Sequence, residues 1–574
     1  MRMSASSRIG VITLALVTLV VGCAPSPASQ SSSTGAESQT RTAAKKRMAV
    51  AIRGNPWTLN SAINSAGSGG VAGVSEIEDM VHAGLADIAI RRVAVAPRLA
   101  EAVPSIENGL WKVFPDGRME TTWKIRNNAR WHDGMPFTTE DLLFTAKLGQ
   151  DRDLIALGHR GYQFVDSIEA LDAQTLIVKW KRPFIGADTM FSSEFSVPLP
   201  KHLLERIYAE EKAAFDQQPF WTRDFVGLGA YRVREWAQDS HAVLEAFDGY
   251  VLGRPKIDEV EVRFILDTNT IVANVLAGAV DLSFGRGVSF EQASQARDQW
   301  RDGTMAMDMD ATSWIALFPQ FINPSPRVIA DVNFRRALLH GTDRQALVDT
   351  FLGGLMPVAH SYVSPAQPEY KSVESSIVRY DHDPRRAAQL IEGLGFAKGP
   401  DGAYRDASGE RLSVEVRTTS GDDLRDKMLF SLANEWSQMG VPVETVIIPR
   451  QRAEDREYRA ARPAFEMVRQ PNDLSEGALT RLISSEAALP ENNFRGQNRV
   501  RYMSPEYDAL VDRYLVTIPI AERMDVVRQL VRHISEQAPI LGLLYSAEPI
   551  LVANRIVGVD ASLKGRNSHE WDVK

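Results

Sequence analysis

The stretch RWHDGMPFTTEDLLF, Arg130–Phe144, decides the fold. Asp133-Gly134 within it is a tight-turn dipeptide. Thr138 is a good helix N-cap, and Asp141 three residues later makes a variant of the capping box, with aspartate in place of glutamate or glutamine. The stretch therefore predicts a strand end, a turn, a cap and a helix. This local structure accounts for the histidine–aspartate pair at positions 132 and 133 without catalysis.

The patterns on either side of this stretch predict both strands and helices. Residues 118–125 alternate between apolar and polar side chains, which indicates a strand with one buried face. Residues 260–282 read as strand, helix and short strand, one β-α-β passage. The second half is richer in helix and includes a long amphipathic helix at about 521–536. The predicted architecture is α/β, with mixed sheets covered by helices in more than one domain.

Length and composition exclude some classes of protein. The chain has 574 residues, and about 150 residues per domain gives three or four units. Hydrophobic residues make up 44% and charged residues 24%, which is ordinary for a soluble globular protein. The formal net charge of -8 argues against a general nucleic-acid binder, which usually has a basic surface.

The N-terminus predicts secretion and a lipid anchor. A basic start leads into the apolar run Ile9–Val21, and the run ends just before Cys23, the sole cysteine. This ending resembles the bacterial lipobox, whose cysteine is acylated and becomes the new N-terminus. We expect residues 1–22 to be a lipoprotein signal peptide and residues 23–47, rich in Ser, Ala and Pro, to be a flexible tether. The alternative is a plain signal peptide with an incidental cysteine.

Several motifs along the chain together resemble one family. WHDGMPFTTED, Trp131–Asp141, is similar to the signature F-x-D-G-x-P-F-T-A-x-D, and GLGAYRVREW, DVNFRRALLHGTDRQALV, YDHDPRRAAQLIEGLGF and APILGLLY follow in the expected order. These segments resemble extracellular solute-binding proteins of the oligopeptide, dipeptide and nickel class, the family 5 receptors of ABC importers. The resemblance covers nearly everything from Met48 to the C-terminus.

The resemblance implies a two-lobed periplasmic-binding-protein fold (type II, cluster C-like). Lobe I is expected to cover residues 48–310, with an extra subdomain inserted at about 80–200, and to be completed by residues 538–574. Lobe II is expected to cover residues 311–537. Proteins of this family close over a ligand like a hinged clam, and they usually need no cofactor and catalyse nothing.

A ligand is then expected in the cleft between the lobes. The chain is expected to cross between the lobes near Met307–Pro319 and near His533–Tyr545. Trp314 lies in the first crossing and Tyr545 ends the second, where aromatic walls bury apolar solute surface. The alternative is that both residues belong to the core between the lobes. Thr418 and Thr419 occupy a strand end where the family often contacts its ligand, although a simple turn explains them equally well.

The stretch Phe465–Gly477 contains further candidates. Peptide receptors of the family place an aspartate in a D-Y-x-D-P-like stretch, where it meets the peptide ammonium group. Asn472 or Asp473 stands in the corresponding region, but the motif is not preserved, which weakens the case for a standard peptide ligand. Arg469 offers another chemistry, because a guanidinium binds a carboxylate or phosphate with two hydrogen bonds.

The predicted function is a receptor that captures a peptide or similar small solute and delivers it to ABC permease subunits. The chain has no P-loop, so the ATPase must be a separate partner. We expect a monomer, lipid-anchored at the periplasmic or extracytoplasmic face, with no nucleic acid, no cofactor and no metal site. The solute could also be an oligosaccharide, an opine-like compound or a metal chelate.

Two alternative functions remain open at this stage. A secreted hydrolase is one, although the sequence contains neither G-x-S-x-G nor H-E-x-x-H. A ligand-binding sensor or chaperone lipoprotein of the same fold is the other.

Overall fold

The structure, a computed structural model, describes residues 45–68, 71–88, 95–154, 156–309, 312–453 and 455–574. Residues 45–574 cluster into one compact unit. The predicted signal peptide, Cys23 and nearly all of the predicted tether lie outside the described residues. Within them, no helix combines the length and the apolar character needed to cross a membrane.

The strands carry the architecture and are numbered in chain order. They are β1 (Arg47–Ile52), β2 (Ala86–Ile88), β3 (Val95–Pro97), β4 (Trp111–Val113), β5 (Met119–Lys124), β6 (Val165–Ala170), β7 (Thr175–Trp180), β8 (Tyr231–Ala237), β9 (His241–Ala246), β10 (Glu259–Phe264), β11 (Leu282–Phe284), β12 (Gly303–Asp308), β13 (Ser313–Phe318), β14 (Ala397–Lys398), β15 (Tyr404–Arg405), β16 (Val414–Thr419), β17 (Val443–Ile448), β18 (Phe465–Pro471), β19 (Leu541–Tyr545), β20 (Glu548–Ala553), β21 (Ile556–Val557) and β22 (Asp572–Val573).

The helices cover the sheets and are numbered in the same way. They are α1 (Ser61–Ser68), α2 (Val74–Val81), α3 (Thr139–Gly149), α4 (Lys201–Glu210), α5 (Thr268–Leu276), α6 (Phe290–Gln299), α7 (Val332–Gly341), α8 (Arg344–Leu352), α9 (Tyr370–Val373), α10 (Pro384–Gly393), α11 (Asp423–Met439), α12 (Arg450–Ala453), α13 (Arg456–Ala460), α14 (Glu476–Leu479), α15 (Pro505–Val516) and α16 (Ile520–Gln537).

Three larger sheets organise the chain. A seven-stranded mixed sheet has the order β12-β20-β11-β1-β10-β9-β8, and β1 runs parallel to both β10 and β11. A five-stranded mixed sheet has the order β17-β16-β18-β13-β19. An antiparallel four-stranded sheet, β4-β5-β7-β6, lies within the segment predicted as an inserted subdomain.

Buried apolar side chains form two cores in the described part of the chain. One surrounds the seven-stranded sheet and includes Val50, Val262 and Leu551. The other joins the four-stranded sheet, through side chains such as Trp123, to the five-stranded sheet, through side chains such as Leu543. The alternating burial of β5 and β10 gives each strand one face for its core, as period-2 patterning predicts.

The opening stretch forms the turn and capped helix that its sequence predicts. Helix α3 begins at Thr139, and the Asp141 carboxylate accepts a hydrogen bond from the Thr138 backbone N–H at 3.0 Å, as a capping box requires. Gly134 has φ +88°, the left-handed conformation that a glycine adopts without steric cost. The predicted turn, cap and helix are therefore observed, whereas Arg130 forms an isolated bridge with Pro136 and not the end of a strand.

His132 is a structural residue. Its ring is buried, its Nε2 donates to the Gly229 carbonyl at 3.1 Å, and its Nδ1 accepts from the Gly227 N–H at 3.1 Å. Burial lowers the pKa of His132 to about 4, so the ring is neutral at pH 7. Both ring nitrogens are used to fix the loop before β8, which matches the scaffold interpretation.

The structure places the return to the first sheet later than the sequence suggests. The expected boundary at residue 538 assigns Leu541–Tyr545 to lobe I, but this strand, β19, pairs antiparallel with β13 in the five-stranded sheet. The chain joins the seven-stranded sheet only at β20, which pairs with β11 and β12. An apolar run such as LGLLY predicts burial, and it contains no information about which sheet provides the partner strand.

Candidate functional site

A cavity of about 1550 Å³ lies between residues that follow strands of the two largest sheets. On one side, Arg53 follows β1 and Arg286 follows the parallel strand β11. On the other side, Thr419 ends β16 and Arg469 lies near the end of β18, which runs parallel to β16. Ligands of open α/β sheets bind beyond the carboxyl ends of strands, so the cavity has the position expected of a binding site.

A partly buried ionic cluster lies at this meeting point, and we call it the Asp422 cluster: Arg286, Asp422, Arg425, Arg469 and Glu548. Asp422 Oδ2 is 3.2 Å from Arg469 Nε and 3.1 Å from Arg425 Nε. Glu548 Oε1 is 3.8 Å from both Arg469 Nη1 and Arg286 Nε. The cluster therefore connects α11 and β18 with the first residue of β20 and with Arg286, two residues beyond the end of β11.

Electrostatics keeps Asp422 ionised. Burial by itself would raise the pKa of its carboxyl group, but Arg469, Arg425 and Arg286 outweigh burial and hold the pKa well below its usual value. Burial lowers the pKa of Arg425, and although Asp422 opposes this, the nearby cations Arg469 and Arg286 lower it further. Three cations share two carboxylates, so the cluster has an excess of positive charge.

A second ionic cluster lies beside another part of the wall and consists of one glutamate and three arginines. We call it the Glu466 cluster: Arg459, Arg462, Glu466 and Arg499. The carboxylate of Glu466, on β18, is 1% exposed. It lies 2.7 Å from Arg459 Nη2, 3.5 Å from Arg499 Nη1 and 3.9 Å from Arg462 Nη1. Arg459 and Arg499 line the cavity. Three guanidinium groups thus share one carboxylate, so this cluster also has an excess of positive charge.

Two ion pairs join the two sides of the cavity. Arg53 Nη2 is 3.2 Å from Asp423 Oδ1, and Lys427 Nζ is 2.6 Å from Glu291 Oε2. Arg53 and Glu291 belong to the side of the seven-stranded sheet, whereas Asp423 and Lys427 lie on α11, which covers the five-stranded sheet. Since these pairs join the two sides directly, the structure represents an arrangement with the sides in contact.

Two of the residues selected from the sequence line the cavity. Arg469 donates from Nη1 to Ser546 Oγ at 2.6 Å and contacts Asp422, and Thr419 lies at the end of β16. Their contact with a solute stays a prediction. The adjacent Thr418 is outside the lining, since its hydroxyl group is buried in the sheet and donates to the Met467 carbonyl at 3.1 Å.

The other four candidates belong to neighbouring structure rather than to the cavity wall. Trp314 is 2% exposed and packs edge-on against Tyr362, with ring centroids 5.4 Å apart. Tyr545 donates its hydroxyl proton to the Ser361 carbonyl at 2.7 Å. Asn472 is fully buried and donates to the Tyr362 carbonyl at 2.9 Å, and Asp473 accepts from the Ser475 N–H at 2.9 Å. These contacts agree with the alternative that Trp314 and Tyr545 are core residues.

Sequence reasoning missed most of the charged wall. Arg53 and Arg286 each follow a short apolar strand. Their position just beyond a predicted strand was the sequence feature that could have identified them as candidates. Asp422 is the N-cap of α11, so its sequence pattern indicated only a capping role. Among the described residues, no group of three or more His, Cys, Asp or Glu side chains is arranged to hold a metal ion.

Two α/β sheets that present their carboxyl ends to one cavity define a binding protein with a cleft between two halves. The profile of bacterial extracellular solute-binding proteins, family 5 (Middle), matches residues 94–472, about two thirds of the sequence, so the chain belongs to this family.

Curated relatives are distant in sequence and match only part of their length. The oligopeptide-binding protein AppA of Bacillus subtilis is 24% identical over 376 residues, 65% of this chain and 65% of that protein. A Brucella ovis protein named as an ABC transporter peptide-binding protein is 25% identical over 290 residues, 50% of this chain and 51% of that protein. The chain thus spans about half to two thirds of the length of these relatives.

Solved structures share the two-lobed fold. The AppA structure from Bacillus subtilis, in complex with a nonapeptide, has a TM-score of 0.74 at 21% identity and covers 92% of this chain and 99% of that chain. The periplasmic EDTA-binding protein EppA has a TM-score of 0.76 at 16% identity and covers 92% of this chain and 97% of that chain.

Proposed function

We propose that this chain is the solute-binding receptor of an ABC importer. It captures a peptide or similar small solute in the cavity between the two sheets and delivers it, chemically unchanged, to membrane permease subunits. The energy for transport comes from a separate ATPase. The receptor acts as a monomer on the extracytoplasmic side of the membrane, to which an acylated Cys23 and the tether at residues 23–47 attach it.

The observation that carries this proposal is the charged contact across the cavity. Arg53 and Glu291 on one side meet Asp423 and Lys427 on the other. A solute that touches both sides adds contacts that only the closed arrangement offers, and this differential affinity shifts the population toward the closed state. A permease can recognise that state, because closure brings together surfaces of the two lobes.

Membership of the family supports the receptor role, but it does not fix the solute. The AppA structure is described with a nonapeptide, and EppA is described as binding EDTA, on the same fold. A peptide is the solute class that the names of the sequence relatives support. The cavity volume of about 1550 Å³ exceeds the range of roughly 300–1,000 Å³ common for small-molecule sites, so it has room for a solute of several units.

The test begins with the full chain purified in detergent from the cells that produce it. Denaturation should release a small molecule that mass spectrometry can identify, and the same compound should rebind to protein freed of it. We expect small-angle scattering to show a smaller radius of gyration with the compound present, and mass spectrometry to recover the compound unchanged. If no compound from the cells or from a solute library binds, the receptor function is wrong, and recovery of a cleaved product would favour a hydrolase.

A further inference from the structure

We propose that the solute is a polyanion, a small molecule with two or more carboxylate or phosphate groups. This inference rests on the proposed receptor function and names the chemical class that the cavity selects. Three observations support it. Guanidinium groups outnumber carboxylates on the cavity wall, nearly all of these carboxylates already form ion pairs with cations of the wall, and two buried guanidinium donors lack an acceptor.

The charge of the wall is opposite to the charge of the whole chain. The sequence has a formal net charge of -8. The described residues that line the cavity include eleven arginines and lysines but only six aspartates and glutamates, an excess of five positive charges. A cleft with walls of one sign focuses the field and raises the local concentration of the oppositely charged solute.

The acids of the wall are already paired with cations of the same wall. Asp422 is bound by Arg425 and Arg469, Asp423 by Arg53, Glu291 by Lys427, and Asp153 by Lys212 at 2.7 Å.

Glu548 likewise lies near Arg286 and Arg469. Asp216 is the lining acid for which the structure shows no ion pair with a described residue. A peptide ammonium group would therefore compete with arginines for nearly every carboxylate, and like charges placed together disfavour such a ligand.

Several cations, by contrast, are available to a solute. In the part of the chain that the structure describes, Arg456, Arg481 and Arg495 make no ion pair with a carboxylate. Arg459 and Arg499 share Glu466 with a third arginine. Each of these side chains has donors left for an incoming anion, and the planar guanidinium group fits both carboxylate and phosphate with two parallel hydrogen bonds.

Buried donors without acceptors point in the same direction. The Nε–H groups of Arg425 and Arg459 are buried and have no hydrogen-bond acceptor among the described residues. Arg425 Nε lies 3.1 Å from Asp422 Oδ2, but its N–H makes no hydrogen bond to that oxygen. A buried donor without an acceptor is costly and leaves the charge of its guanidinium group incompletely compensated, and both side chains line the cavity.

The spacing of the clusters favours more than one anionic group. Glu466 and Arg469 stand three residues apart on β18, so their side chains leave opposite faces of the strand and the two clusters hold separate positions. Arg425 and Arg469 of one cluster and Arg459 and Arg499 of the other line the same cavity, so a solute with two anionic groups can contact both. The inferred solute thus places one group at the Asp422 cluster and another at the arginines around Glu466.

The first experiment determines the charge of the solute. The compound released from the purified full chain is run on an anion exchanger at pH 7 and identified by mass spectrometry. We expect strong retention and at least two carboxylate or phosphate groups. A neutral or cationic compound would overturn the inference while leaving the receptor function intact, whereas failure of every compound, from the cells or from a solute library, to bind would count against the receptor function itself.

The second experiment measures binding by calorimetry with defined probes: citrate as a polycarboxylate, pyrophosphate as a phosphate compound and trialanine as a zwitterionic peptide. Citrate or pyrophosphate should bind more tightly than trialanine, and whichever binds more tightly distinguishes carboxylate from phosphate recognition. Affinity should fall as NaCl is raised, because salt screens partly exposed charges. Preferential binding of trialanine would overturn the inference.

Matched arginine variants locate the anion contacts. Arg425→Gln should weaken binding of the preferred anionic probe by about 10- to 100-fold, through loss of a charge-assisted hydrogen bond. Since Arg425 also contacts Asp422, the exposed Arg495→Gln serves as a variant that leaves the fold undisturbed, with an expected loss of about 2- to 10-fold. Arg206→Gln, an exposed change on α4 outside the cavity, should have no effect. Equal affinities for Arg495→Gln, Arg425→Gln and Arg206→Gln would contradict the assignment.

Discussion

Removal of the Asp141 carboxylate should destabilise the region around α3 and α4. It is 5% exposed and accepts three hydrogen bonds: Oδ2 from the Thr138 N–H at 3.0 Å and from Trp131 Nε1 at 3.2 Å, and Oδ1 from the Lys201 N–H at 3.0 Å. One side chain thus joins the loop before α3, the start of α3 and the start of α4.

The expected cost of Asp141→Ala follows from these three bonds. Each hydrogen bond contributes a net of about 1 to 1.5 kcal/mol, so the substitution should lower the free energy of unfolding by about 3 to 4.5 kcal/mol. Burial raises the pKa of the Asp141 carboxyl group despite these hydrogen bonds, so its desolvation offsets part of their contribution and places the result toward the lower part of this range. The neighbouring Glu140→Ala removes only a partly exposed ion pair with Lys201 and should cost about 0 to 1 kcal/mol.

Urea unfolding followed by tryptophan fluorescence measures both variants, because Trp131 is fully buried beside the lost carboxylate. The unfolding midpoint should shift to lower urea for Asp141→Ala and stay nearly unchanged for Glu140→Ala. If the two variants differ by less than about 1 kcal/mol, Asp141 does not hold these elements together as argued.

Three further predictions concern charge. Asp422→Asn should lower the free energy of unfolding by about 3 to 5 kcal/mol at pH 7. The pKa of Asp422 in the folded state lies below its usual value, so the difference in the free energy of unfolding should persist above about pH 4 and shrink at lower pH. A difference in urea unfolding that does not change with pH would contradict this prediction. Burial lowers the pKa of His132 to about 4 in the folded state, whereas a free histidine has a pKa of about 6.5. The contribution of the neutral ring to the free energy of unfolding is therefore complete above about pH 6.5 and is lost as the pH falls toward 4. An NMR titration should then show the ring unprotonated at about pH 5.5, and a midpoint near the free-histidine value would contradict its burial. Lys427→Glu should place a second negative charge beside Glu291 and enlarge the radius of gyration in solution scattering. Adding Glu291→Lys should restore the original radius. An unchanged radius in the single variant would show that this pair does not hold the two sides together.

Much of the local structure could be predicted because its causes lie close together in the sequence. The turn at Asp133-Gly134, the cap at Thr138 and the helix α3 depend on residues within one short segment. The helix predicted at about 521–536 is observed as Ile520–Gln537, since its apolar face repeats at the helical period. The resemblance to family 5 was confirmed by the match over residues 94–472.

The candidate site could be predicted only in part. Thr419 was selected at a strand end where the family often contacts its ligand, and Arg469 for the two hydrogen bonds that a guanidinium group gives to an anion; both line the cavity. Trp314 and Tyr545 were selected for aromatic character, but a buried aromatic side chain is as suitable for a core as for a cavity wall. The sequence offers no means of separating the two positions, because burial in both depends on what packs against them from distant parts of the chain.

By itself, the sequence determined the α/β class, the capped helices, the exclusion of a P-loop ATPase and the family. The tertiary structure alone decided which charges meet. Arg53 and Asp423 are 370 residues apart, and Asp422 and Arg469 are 47 apart. The sheet to which Leu541–Tyr545 belongs was also decided there. The physical reason is that hydrogen bonds of caps and turns close over a few residues, whereas ion pairs and strand pairing depend on which chain segments the packed sheets bring together.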